Sequence, residues 1–147
     1  FVEYRESLGF EIIPLTGNAK PPFDMLADRL RANGFVCLMA DRDLTSRGVE
    51  VEFFGELTRL PAGPAKLALE TGAPLHPAHV HYDGDDCIVH IFDALDTSSG
   101  DVAAITQALA DVFAGAIAEH PEDWHMLQPQ WIADLSEEKR ARLRRGA

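Results

Sequence analysis

The sequence predicts an α/β fold: a mixed, mainly parallel central sheet flanked by helices, with an antiparallel hairpin. Three observations lead there. Residues 10–40 read as strand, helix, strand, the pattern of a βαβ unit whose two strands run parallel. Val49, Val51 and Phe53 alternate with Glu50, Glu52 and Phe54, the two-residue period of a half-buried strand. Asp83-Gly84 joins two further strand-like runs and is among the strongest short hairpin signals.

Taken in order, Phe1, Tyr4 and Leu8 lie on one face of a helix already under way, and Gly9 supplies the residue able to turn left-handed at its end. Phe10 to Pro14 is a short strand. A polar loop from Thr16 to Lys20 leads to Pro21-Pro22, which opens a helix burying Phe23, Leu26, Ala27 and Leu30 and stopping at Asn33-Gly34. Phe35 to Ala40 is a buried strand, followed by the charged loop Asp41-Arg42-Asp43. In open α/β sheets ligands bind beyond the carboxyl ends of strands, so chemistry is expected at that loop. Residues near Pro64 begin a short helix ended by Gly72, and Pro74 to Tyr82 with Asp86 to Phe92 form the hairpin. Ser98 to Asp101 begins the longest helix, in which Val102, Ile105, Leu109, Val112, Phe113 and Ile117 recur at helical spacing until His120-Pro121. Glu122 to Trp131 suits a packed loop. From Ser136 the tail carries Glu137 and Glu138 first and Lys139, Arg140, Arg142, Arg144 and Arg145 later, matching a helix dipole.

Length and composition fit one domain with a real core: 147 residues, 46% of them hydrophobic. The formal net charge of −11 argues against nucleic acid, whose backbone is bound by neutralising it. Cys37 and Cys87 sit in apolar runs without a C-x-x-C pattern, and are expected to be two buried, reduced thiols. No run approaches about 18 consecutive apolar residues, so no membrane span is expected. The chain opens with Phe in mid-helix and reads as one segment of a longer polypeptide.

His81 to Asp86 matches H-x4-D, the spacing that pairs a general-base His with an orienting Asp in acyltransferases, but the match runs around a hairpin turn and is rejected. His76, His79, His81 and His90 gather on the same region, with His79 and His81 on one face; a metal there needs a third ligand, so none is expected. Glu50 and Glu52 share a strand face close to Asp41 and Asp43, and such carboxylates can orient an imidazole supplied by another segment. No glycine-rich phosphate loop and no G-x-S-x-G elbow is present.

Asp41-Arg-Asp43, Gly48-Val-Glu-Val-Glu-Phe-Phe-Gly55, Leu60-Pro-Ala-Gly-Pro-Ala65, Thr71-Gly-Ala-Pro74 and Glu119-His-Pro-Glu-Asp-Trp124 occur in the order and spacing of the bacterial lipid A biosynthesis (lauroyl/myristoyl) acyltransferase family. The Glu-rich strand and Trp124 to Trp131 make the chain most similar to the actinobacterial branch, whose acceptors are phosphatidylinositol mannosides. The resemblance implies a glycerolipid-acyltransferase-like fold, of which residues 1–147 are the carboxy-terminal segment of a single domain. It also implies transfer of palmitoyl from palmitoyl-CoA to a mannose hydroxyl at the cytoplasmic face of the inner membrane, without metal, cofactor or covalent acyl-enzyme. The H-x4-D histidine would lie upstream of Phe1, in a half that also carries the membrane contact, and this segment alone would be inactive. Glu52 is the first candidate to orient that histidine and Glu50 the second. Asp41 and Asp43 would order the strand-end loop. Arg5 and Arg42 would serve substrate phosphates or the oxyanion, and Phe53 and Phe54, with Leu60, would wall the acyl groove. An alternative is a non-catalytic α/β module that binds lipid or protein through Trp124 to Trp131.

Overall fold

The computed structural model describes residues 2–14, 17, 19–43, 45 and 47–145, the side chains of 144 and 145 excepted. The expected roles of Phe1, Thr16 and the side chains of Arg144 and Arg145 lie outside the described residues. The chain divides into two compact units, Phe1–Cys37 and Leu38–Ala147.

The first unit holds helix α1 (Val2–Ser7) and helix α2 (Pro22–Arg31). Gly9 takes the expected left-handed φ of 89° after α1. Pro22 occupies the first turn of α2, where its missing N–H costs nothing, and Asn33 turns left-handed just beyond the helix end. Ala27 is fully buried, and Phe23, Leu26 and Leu30 are half-buried beside it. Lys20 pairs with Asp28 and Arg29 with Glu11 across the surface. Phe10–Pro14 is not a strand.

The second unit contains β1 (Val49–Phe53), β2 (Glu56–Leu60), helix α3 (Gly63–Thr71), β3 (Ala78–Asp83), β4 (Asp86–Ile91), helix α4 (Val102–Glu119) and helix α5 (Glu137–Arg145). Two antiparallel pairs, β1 with β2 and β3 with β4, make two separate two-stranded sheets among the described residues. The α/β composition stands; a parallel central sheet is not seen. Residues 35–40, expected to be a buried strand, carry no strand pairing, and Phe35 and Met39 are 82% and 87% exposed. A strand is held by the ladder beside it, and none of the described residues supplies one here.

The core forms where β1 and β2 pack on α4. Val51, Phe53 and Leu60 meet Ala110 and Ile117, with Val49, Phe113, Ala114 and Trp124 around them. Asp101 caps α4 by accepting a hydrogen bond from Ala103 N at 2.8 Å, and Ile105 and Leu109 are buried. By length and composition α4 is apolar enough to cross a membrane; here it is the helix on which β1 lies. Strand β2 was not anticipated, although Thr58 and Leu60 are buried with the two-residue period of a strand.

The expected hairpin is present as β3–β4, but Asp83 belongs to β3 opposite Asp86, so the turn falls at Gly84-Asp85 rather than Asp83-Gly84, and β3 begins at Ala78 rather than Pro74. His79 and His81 point toward α4 and the short 3-10 turn Pro121–Asp123. The opposite face, Ala78, Val80, Tyr82, Cys87, Val89 and Ile91, is exposed throughout. Neither thiol is buried as expected: Cys37 and Cys87 are both exposed, because the apolar runs that contain them present those faces outward.

Candidate functional site

Of the residues expected to carry chemistry in the second unit, Glu50 and Glu52 lie on the outer face of β1, Asp41, Arg42 and Asp43 in the loop before it and Phe54 in the turn after it, whereas Phe53 is in the core. That loop is fixed mainly through its backbone. Asp43 N donates to Arg59 O at 2.7 Å, and Asp43 Oδ1 accepts from Thr45 N at 3.2 Å, an Asx turn. Gly48 passes so close to Asp43 that a Cβ there would sit 2.2 Å from its carbonyl oxygen. Only glycine permits that approach.

A second segment, distant in sequence, locks the same loop. Gln130, 1% exposed, donates through Nε2 to Asp41 O at 2.9 Å, while Thr58 Oγ1 donates to Gln130 O. Arg42 donates through Nε to Pro129 O at 2.9 Å and through Nη1 to Gln128 Oε1 at 2.8 Å. Trp131 Nε1 donates to Phe53 O at 2.9 Å. The expected packed loop thus buttresses both the strand-end loop and β1. Sequence reasoning did not single out Gln130, and its only local signal is a polar side chain between Pro129 and Trp131.

Glu50 and Glu52 share the outer face of β1, as their alternation required, but differ in their partners. Glu50 lies 3.7 Å from the guanidinium of Arg59, whose side chain is 12% exposed. The Glu52 carboxylate has no partner among the described residues. Its backbone is held instead by one side-chain amide: Gln107 Oε1 accepts from Glu52 N and Gln107 Nε2 donates to Glu52 O, each at 2.9 Å. Gln107 is in turn bonded to Asp111 Oδ1 at 2.8 Å, one turn along α4. That amide serves β1 as a single residue of a neighbouring strand would. Nothing local in the sequence marks Gln107 for this part.

The aromatic residues separate by depth. Phe53 and Leu60 are in the core, 2% and 0% exposed, rather than on a groove surface. Phe54 is 46% exposed and adopts φ 55°. Its ring meets Phe53 edge-on at 4.8 Å and leans over Trp124 at 6.1 Å. Arg5 is exposed on α1 in the first unit.

The histidine cluster gains a member from beyond the hairpin. His81 stacks on His120 with ring centroids 3.8 Å apart, and His79 lies 6.1 Å from His81. Burial, then the neighbouring His81 and His120, hold the His79 pKa below its ordinary value, opposed by Asp123 and Glu119. His81 and Asp86 stand on two different strands, the geometry on which their H-x4-D match was rejected. His120, Glu122 and Asp123 bring potential metal ligands within 4.8 Å of one another. A zinc tetrahedron sets them about 3.3 Å apart, and Asp123 Oδ2 is already engaged by Tyr82 N at 2.8 Å.

The outer face of β1–β2 therefore carries Glu52, whose carboxylate is unpaired among the described residues, and Glu50 beside the Arg59 guanidinium, with the exposed Phe54 ring at the adjoining turn. Residues 1–133 match the family described as bacterial lipid A biosynthesis acyltransferase, and the chain belongs to that family. It is 68% identical over 143 residues to the phosphatidylinositol mannoside acyltransferase of Mycolicibacterium smegmatis, covering 97% of this chain and 47% of that protein. Against the protein of the same description from Mycobacterium tuberculosis it is 65% identical over 144 residues, covering 98% of this chain and 46% of the relative. The chain spans about half the length of the curated relatives it matches, and corresponds to their carboxy-terminal part.

Proposed function

We propose that this chain is the carboxy-terminal part of an acyltransferase that moves palmitoyl from palmitoyl-CoA to a mannose hydroxyl of phosphatidylinositol mannoside. The base is a histidine of an H-x4-D motif in the amino-terminal part of the polypeptide. Its imidazole takes the hydroxyl proton as the oxygen attacks the thioester carbonyl; the C–S bond then breaks, and CoA leaves as the thiol with that proton. No metal, cofactor or acyl-enzyme is needed. The observation that carries this reading is the unpaired Glu52 carboxylate, whose strand position is held by Gln107. It is suited to accept from the other ring nitrogen of the histidine and so fix its tautomer. Glu50, shared with Arg59, is the second choice.

In this reading Asp41 and Asp43 order the loop, Arg42 and Arg5 serve substrate phosphates or the oxyanion, and Phe54 lines the acyl groove with Phe53 behind it. The mainly parallel sheet is completed by strands of the amino-terminal part pairing with residues 35–40, whose apolar side chains are exposed here. The enzyme works as a peripheral protein at the cytoplasmic face of the inner membrane, contacting it through the amino-terminal part. The reading as a binding module working through Trp124 to Trp131 is less well supported, since Gln128, Pro129, Gln130 and Trp131 are spent on internal hydrogen bonds.

The test is release of free CoA from palmitoyl-CoA by the full-length polypeptide, with and without the acceptor. Acceptor-dependent release supports acyl transfer. Release at background, from folded protein and intact donor, overturns it.

A further inference from the structure

A cavity of about 250 Å³ lies in the second unit, lined by Arg42, Leu135, Lys139 and Arg142. Three of its four lining residues are cations, on a chain whose net charge is −11. Such a local reversal of sign is a means of focusing an anion against the field of the whole molecule.

Each cation is available in a different way. Arg42 is fixed in direction by Pro129 O and Gln128 Oε1, which take two of its five N–H donors. Its remaining donors are unclaimed among the described residues. Lys139 and Arg142 stand three residues apart on α5, and so share one helix face. The ammonium of Lys139 has no partner among the described residues. Arg142 is bonded to Glu138 at 2.7 Å, but both side chains are more than two-thirds exposed, at 70% and 74%. An exposed pair of this kind holds its partners weakly. Leu135, 6% exposed, gives the cavity an apolar side.

We infer that this cavity is a phosphate-binding pocket, with Arg42 as the fixed fork and Lys139 and Arg142 as the closing charges. A phosphate monoester or a pyrophosphate matches it better than a carboxylate does, since either offers three or more terminal oxygens and up to two negative charges to three separate cations, whereas a phosphodiester offers two oxygens and one charge. What brings that phosphate rests on the acyltransferase reading. It is either a phosphate of the CoA donor or the phosphodiester of the inositol lipid acceptor. Lys139 and Arg142 are then specificity residues outside the face that carries Glu52.

The test is equilibrium binding, without turnover, so that its failure is distinct from failure of acyl transfer. Calorimetric titrations of the full-length polypeptide would use CoA, dephospho-CoA and glycerophosphoinositol, each repeated with Lys139→Gln and Arg142→Gln. Arg42 is left intact because it also ties down residues 128–129. The expected result is a loss of about tenfold in affinity for a phosphate ligand in each variant, with the melting temperature unchanged. Loss for CoA but not for dephospho-CoA assigns the pocket to the 3′-phosphate of the donor. Equal loss for both assigns it to the CoA pyrophosphate, and loss for glycerophosphoinositol to the acceptor headgroup. No saturable binding of any of the three, or affinities that neither substitution changes, overturns the inference.

Discussion

Glu50 and Glu52 differ by one turn of the strand pleat and by everything that surrounds their carboxylates. Arg59 engages Glu50, whereas Glu52 is gripped only through its backbone. Removing the negative charge should therefore matter most at Glu52. Glu52→Gln in the full-length polypeptide is expected to lower turnover about tenfold or more, and Glu50→Gln less. Steady-state rates of acyl transfer check the order, and the reverse ranking would move the role to Glu50. At His79 the expectation concerns stability. Its folded pKa is depressed, so the folded chain resists a proton that the unfolded chain accepts. Above the ordinary value of 6.5 both states are neutral there and this group contributes no pH dependence. As pH falls below that value the unfolded state is favoured and stability declines. Melting temperatures between about pH 7.5 and pH 5 should fall less steeply for His79→Gln than for the natural chain. His81, His120, Asp123 and Glu119 are the charged or titratable neighbours that share this site.

At the scale of the element, the β1–β2 turn combines two demands. Phe54 and Gly55 both have positive φ, 55° and 78°, as a two-residue primed turn requires. Asn-Gly is the sequence this geometry favours, and a phenylalanine there costs about 1 kcal/mol of backbone strain. Its contacts with Phe53 and Trp124 return a comparable amount, about 0.5–1.5 kcal/mol. Phe54→Asn should therefore change the unfolding free energy by less than about 1 kcal/mol, because the two terms nearly cancel. Activity toward palmitoyl-CoA should nonetheless fall if the exposed ring lines the acyl groove. Chemical denaturation and acyl-transfer rates on the same variant separate the two effects; a stability loss with full activity would leave Phe54 as a packing residue only.

Over the whole molecule, apolar surface is unevenly used. The core between β1–β2 and α4 is closed, whereas Phe35, Met39 and the outward face of β3–β4 stand in solvent. A contiguous apolar sheet face of this kind marks a surface made to be covered. Cys37 and Cys87 lie within these two regions and report on them. Both thiols of this chain are expected to react with an aromatic disulfide reagent without denaturant, at rates close to those of the unfolded chain. Slow reaction of either would show its region to be covered in this chain. In the full-length polypeptide, where strands of the amino-terminal part are proposed to pair with residues 35–40, Cys37 should become protected.

The order of helices and of the β3–β4 hairpin was legible in the sequence because its causes are local. Pro22, Asp101, Gly72 and the Asp83-Gly84 pair act within a few residues of themselves, and helical spacing marked α4 along its length. The alternation of Val49 to Phe54 likewise placed Glu50 and Glu52 together on one face of β1. Linked motifs spread along the chain were enough to indicate the family. Strand pairing depends on partners that the strand does not specify, so only the tertiary structure showed β2 beside β1 and left residues 35–40 unpaired. Exposure depends on what lies opposite, so the two thiols are exposed although apolar runs contain them. The same holds for the contacts that shape the site. Gln107 reaches Glu52, Gln130 reaches Asp41, and Lys139 shares a cavity with Arg42, each across a long stretch of chain. Such contacts are set by how the elements pack, and no local pattern encodes them.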